Sequence, residues 1–121
     1  MPNIRGCLAV ALLSLVGTGF AQAQEARDAD LRCMAVMAKL NQLQDPKHQL
    51  ESLIGGYYFL GRLQAVAPEL QLGSSTADAY GKMSPAEFLS ETQRCEQEMR
   101  ANGHAMVEIG NAMPKAQPAG K

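Results

Sequence analysis

The sequence contains no tryptophan, and its three tyrosines and three phenylalanines make up only 5% of 121 residues. Large aromatic anchors are scarce, so apolar burial must come mainly from aliphatic residues, alanine and seven methionines. Charge of one sign is also lacking: 11 basic side chains are interspersed with 12 acidic ones, for a formal net charge of −1. That balance offers neither the basic face that nucleic acid requires nor a polybasic block for an anionic membrane surface, and neither is an expected partner. No G-x-S-x-G elbow, H-E-x-x-H pair, phosphate-binding loop or dinucleotide-binding turn is present, and Gly55-Gly56 followed by Gly61 has the wrong spacing to cradle a phosphate. The chain is therefore expected not to be an enzyme and to need no cofactor. What remains, 46% hydrophobic and 19% charged, is the profile of one small globular domain.

The N-terminus reads as a secretory signal. Met1 to Arg5 is a short head with one positive charge, Cys7 to Phe20 is an apolar run, and Ala21-Gln22-Ala23 has the small-x-small form of a signal-peptidase site. The run falls short of the ~20 residues that span a bilayer, and polar Gln24 to Asp28 follow at once, so no membrane attachment is expected after cleavage. Cys7 stands at the start of the run, not after it, and cannot be a lipoprotein acceptor. The chain thus divides into a signal peptide over 1–23, a domain over 24–113 and a tail over 114–121, with a periplasmic or secreted location. Cleavage leaves 98 residues with 10 basic and 12 acidic side chains, a net charge of −2.

Two cysteines remain, Cys33 and Cys95. In an oxidising compartment an isolated pair in so small a domain is most simply a disulfide. Zinc motifs bring ligands in close doublets, whereas Cys33, His48, Cys95 and His104 stand singly, so no metal site is assigned.

The fold class expected is all-α: a small bundle of three to four helices with one disulfide. From Asp28 to Gln44, Cys33, Val36, Met37, Leu40 and Leu43 recur at steps of three and four, with Asp28 or Asp30 as cap and Asp45-Pro46 as stop. A second helix starts from Asp45 and Pro46, with Leu50, Leu53, Ile54, Tyr57 and Leu60 as its core-facing stripe. Gly55 and Gly56 either break it or admit a neighbouring helix closely. Pro68 to Met83, rich in glycine, serine and threonine, reads as a connecting loop with at most one helical turn around Ala77 to Tyr80. Ser84-Pro85-Ala86-Glu87 then combines a serine cap, a proline at the first helical position and a glutamate that reaches back, the start of a helix. Its stripe is Phe88, Thr92, Cys95, Met99, Asn102, Met106, Ile109 and Met113, which predicts one long helix to about Gly110. Pro114 to Lys121 has no periodicity and reads as a mobile tail.

His104, at four-residue steps from Arg100 and Glu108, and the acidic residues of the last helix fit a solvated, salt-bridged face. Six methionines survive cleavage, and three readings compete for them: core filler, Cu(I) thioether ligands, or an adaptable surface for partners.

A first cysteine inside the first helix (Leu31-Arg32-Cys33-Met34) and a second following a serine-proline start (Ser84-Pro85-Ala86-Glu87-Phe88 to Arg94-Cys95) resemble the layout of the acid-stress chaperones of the bacterial periplasm, the HdeA/HdeB type. The resemblance implies a homodimer that loosens at low pH and holds unfolding clients on apolar helix faces, with no cofactor. The expected function is that of a non-enzymatic binding protein, chaperone-like. The alternatives are a dedicated inhibitor of another exported protein and a methionine-based copper binder. Acidification to pH 2 to 3 takes the cleaved chain from −2 to about +12, and this repulsion is expected to expose a client-binding stripe at Leu40, Leu43, Leu53 and Tyr57.

Overall fold

A computed structural model describes residues 16–114. The signal head, most of the apolar run and all but the first residue of the tail lie outside the described residues. Four helices follow in order: α1 (Val16–Gln42), α2 (Pro46–Val66), α3 (Leu72–Gly81) and α4 (Pro85–Ala112). No strand occurs among the described residues, and no helix is long and apolar enough to cross a membrane. The all-α bundle with one disulfide is thus the observed fold.

α1 is the element that touches each of the other three. Its buried face carries Cys33, Val36 and Met37, the stripe that periodicity picked out, together with Leu31 and Ala35. The helix begins well before Asp28, which moves Asp30 from a capping position into the middle of the helix, where it is 4% exposed. α1 closes at Gln44, whose φ of 52° is left-handed backbone. A side chain costs about 1–2 kcal/mol in that conformation and glycine costs nothing comparable. Gln44→Gly is accordingly expected to raise stability by about 0.5–1 kcal/mol, read as a higher midpoint in urea unfolding; a lower midpoint would show that the turn tolerates glutamine without strain.

α2 starts as its sequence indicates, with Pro46 in the first turn and the Lys47 amide donating to Asp45 Oδ1 at 3.0 Å. It runs unbroken through Gly55-Gly56. A Cβ built on Gly55 would lie 2.5 Å from Met99 Sδ and 2.6 Å from Met37 Sδ, so this glycine is where α2 closes on α1 and α4. That contact corrects the core-facing stripe. The buried face is Ser52, Gly55, Phe59 and Leu63, and Leu50, Leu53, Ile54 and Tyr57 point to solvent. Two small residues let the backbones approach and two large ones fill the space beyond, while Ser52 satisfies its hydroxyl on the Gln49 carbonyl at 2.9 Å.

The loop expected over Pro68 to Met83 is corrected to the ten-residue α3. The turn-forming residues Gly73, Ser74 and Ser75 occupy its first turn, where the Ser74 hydroxyl and the Ser75 amide both donate to the Gln71 carbonyl. Contact with α1 and an edge-to-face pair between Tyr80 and Phe88, with centroids 6.0 Å apart, hold it in place. Intrinsic propensity does not specify this helix; its neighbours do.

α4 opens with the full reciprocal cap. The Glu87 amide donates to Ser84 Oγ at 3.2 Å and the Ser84 amide donates to Glu87 Oε2 at 2.8 Å. It then runs 28 residues as one helix, about 42 Å at 1.5 Å per residue. The stripe holds only for its first half. Cys95 is buried and Phe88 and Met99 pack on the core, but residues 101–114 are all exposed: Asn102 still reaches α2 through the Tyr58 hydroxyl, and beyond it Met106, Ile109 and Met113 overhang the bundle. The register survives and no partner helix reaches that far.

Candidate functional site

The disulfide joins α1 to α4 at the centre of the core. Cys33 and Cys95 are both fully buried, with Cα atoms 5.6 Å apart. Among the described residues the one group of three close metal-ligand atoms is Cys33, Glu91 and Cys95, and its two sulfurs are already bonded to each other. Of the six methionines, Met37 belongs to the core and Met34, Met83 and Met99 pack against it, in line with the core-filler reading; Met106 and Met113 are exposed.

Around the bridge runs a charged seam that links three helices. Arg94 Nη2 donates to the Ala29 carbonyl at 2.9 Å, to Glu91 Oε2 at 2.7 Å and to Cys33 Sγ at 3.0 Å, while its Nη1 reaches Glu98 Oε2 at 3.4 Å. Arg62 of α2 pairs through Nε with Asp30 Oδ2 at 3.0 Å, and its Nη1 donates to Glu98 Oε1 and to the Tyr58 hydroxyl. Asn102 Nδ2 donates to the same hydroxyl at 2.8 Å. Burial pushes the Asp30 carboxyl above the ordinary carboxylate range against the pull of the Arg62 charge. The seam satisfies what it buries: among the described residues no buried side-chain nitrogen or oxygen lacks a partner. Glu98, through Arg62, and Glu91, whose Oε1 lies 3.7 Å from Arg32 Nη1 of α1, are corrected from a purely solvated face to interhelical partners, whereas Glu96 pairs with Arg100 at 3.6 Å along the outer side. His48 caps locally with Asp45 Oδ2 at 2.9 Å, and His104 is exposed. No nucleophile with an adjacent base emerges from this arrangement.

Two of the open troughs are largely apolar. A trough of about 240 Å³ lies between α1 and α2, lined by Met34, Met37 and Ala38 on one side and Leu53, Gly56, Tyr57 and Leu60 on the other. A second, of about 420 Å³, lies between α1 and α3 and shares Met34 and Ala38 with the first. The four residues expected to bind a partner separate here. Leu53 and Tyr57 line the first trough and are 43% and 73% exposed; Leu43 is exposed at the hairpin, apart from either trough. Leu40 packs against the core and is not an open contact residue. Exposure of Leu43, Leu53 and Tyr57 needs no acid, which corrects the expectation that unfolding must reveal them.

The seam residues Asp30, Arg62, Arg94 and Glu98 were missed because nothing in their spacing distinguishes an inward ion pair from an outward one. Arg94 had one clue, its position immediately before a buried cysteine. The second trough was hidden by the loop reading of 68–83. Comparison with protein families, curated proteins and solved structures finds no match, and the functional reading rests on this geometry.

Proposed function

We propose that this chain is an exported, non-enzymatic protein-binding module, a chaperone-like holdase of the periplasm that takes up apolar segments of unfolding proteins in acid. The observation that carries the reading is the row Leu50, Leu53, Ile54 and Tyr57, which faces solvent beside the α1–α2 trough. An apolar row flanking a groove is the form that receives a client helix or an extended apolar segment.

Two helix starts are acid-labile, which supports loosening at low pH. The Asp45 carboxyl is held below the ordinary range by its hydrogen bond with His48 and by the Lys47 amide. That of Glu87 is held there by the Ser84 amide and hydroxyl. A lowered native pKa contributes stability that is present above the unfolded value and lost as pH falls through the native one, so both caps weaken as pH falls below the ordinary carboxylate range. Asp30 shifts the other way, and its neutralisation relieves a buried charge.

The test is light scattering of an acid-sensitive client at neutral pH and at pH 2 to 3, with and without the purified protein. Suppression of aggregation in acid, weakened at least several-fold by Leu53→Ser with Tyr57→Ser, is the expected result. No suppression at low pH would overturn the holdase reading. The second reading, a dedicated inhibitor of another exported protein, is favoured by the exposure of the same row in the folded state. It predicts a single stoichiometric partner captured at neutral pH and lost with Tyr57→Ser.

A further inference from the structure

We infer that the trough between α1 and α3 is a binding site for a single-chain amphiphile with an anionic head, a free medium-chain fatty acid. This inference stands apart from the protein-binding row on α2, and either can fail without the other.

α3 packs on α1 without burying any residue of its own, which leaves an open groove along the seam between the two helices. That space, about 420 Å³, is within the range of clefts that hold small ligands, roughly 300–1,000 Å³. Its walls are apolar or small: Met34 and Ala38 from α1, Leu72, Gly73 and Ala77 from α3. No carboxylate lines it. A cation does. Lys39 is half-buried and forms no salt bridge among the described residues. Its ammonium sits over the Tyr80 ring, 5.4 Å from the centroid, and reaches only the Gln42 side-chain oxygen, at 3.5 Å. An ammonium in contact with an aromatic face and without a counter-charge is held beside the apolar wall at the position a carboxylate would take. An alkyl chain along Met34, Ala38 and Leu72 would then gain burial while its head pairs with Lys39, and a cationic head would meet repulsion in the same place.

Calorimetric titration of the purified protein with dodecanoate, kept below its micelle concentration, tests this against dodecyltrimethylammonium as the cationic counterpart. Saturable one-to-one binding of dodecanoate, at least tenfold tighter than the cation, is expected. Lys39→Gln should erase most of that preference while leaving residual chain binding. Gly73→Leu should remove binding of both, because a Cβ at Gly73 meets nothing within 4 Å and the longer side chain is free to fill the trough. Thr76→Leu, from the next turn of the same wall, gives a second filling variant should the first lose helical circular dichroism. Equal affinity for the two amphiphiles, absence of saturable binding, or dodecanoate binding that survives both filled variants would each overturn the inference.

Discussion

Replacing Cys33 and Cys95 together by alanine is expected to destabilise the protein by about 4 kcal/mol, the unfolded-state entropy of a closed loop of some 60 residues on the chain-entropy view. Domains of this size have about 5–15 kcal/mol in all, so the variant should melt at least 15 °C lower or populate no stable fold at 37 °C. The local structure adds to the loss. Both sulfurs are fully buried beside Val36, Met37 and Phe59, and Arg94 donates to Cys33 Sγ, a contact that alanine cannot replace. Thermal unfolding followed by circular dichroism, for the oxidised protein and the variant, reads the difference directly. An unchanged midpoint would mean that the four helices hold together by packing alone.

The second large effect is expected at Arg62. Arg62→Ala leaves Asp30, 4% exposed, without its salt-bridge partner and cuts the link from α2 to Asp30 of α1 and Glu98 of α4, while Arg94 still pairs with Glu98 and Asn102 still donates to the Tyr58 hydroxyl. Stripping one partner from a buried pair costs about 3–5 kcal/mol; because the guanidinium is 38% exposed, about 2–3 kcal/mol is expected here. The pH dependence identifies the cause. The Asp30 carboxyl already titrates above its ordinary value of 3.8 because burial disfavours the anion, and removal of Arg62 raises it further. An acid whose native pKa is raised binds its proton more tightly when folded, so stability grows as pH falls toward and through that value. The variant should therefore regain part of its loss between neutral and mildly acid pH, and more of it than the parent protein gains, because Arg62 holds Asp30 ionised to lower pH in the parent. Denaturant titrations at the two pH values measure it, and a deficit independent of pH would assign the loss to packing of the Arg62 stem instead.

The sequence made the starts of α2 and α4 and the cysteine pairing legible, because each rests on local chemistry: an aspartate-proline boundary, a serine-proline-glutamate cap, and two lone thiols in a small domain. α3 was not legible. Gly73, Ser74 and Ser75 are turn formers until a neighbour such as α1 makes a helix worth forming, and that neighbour is distant in sequence. The rotation of α2 was hidden for a related reason. Its leucine-rich side has the stronger periodicity, yet the side that packs is the one where Ser52 and Gly55 let another backbone come close. Leu53 and Tyr57 were thus singled out as core residues awaiting exposure, and they belong to the candidate site because they were never core. The outer half of α4 shows the same limit: a heptad stripe specifies which side of a helix can be buried, and only tertiary structure supplies something to bury it.

The bridge between the first and last helices closes the covalent chain into a ring, with α2, α3 and all three interhelical connections inside it and the chain before Cys33 and after Cys95 outside. A protease that cuts within the exposed stretch 68–69, between α2 and α3, would open the ring without releasing anything. The nicked molecule would keep its full mass until a reductant divided it into two pieces, and α2 would stay joined to α1, and α3 to α4, through every cycle of opening and closing. For a chain closed by such a bond, a single cut of that kind is not yet loss of the molecule.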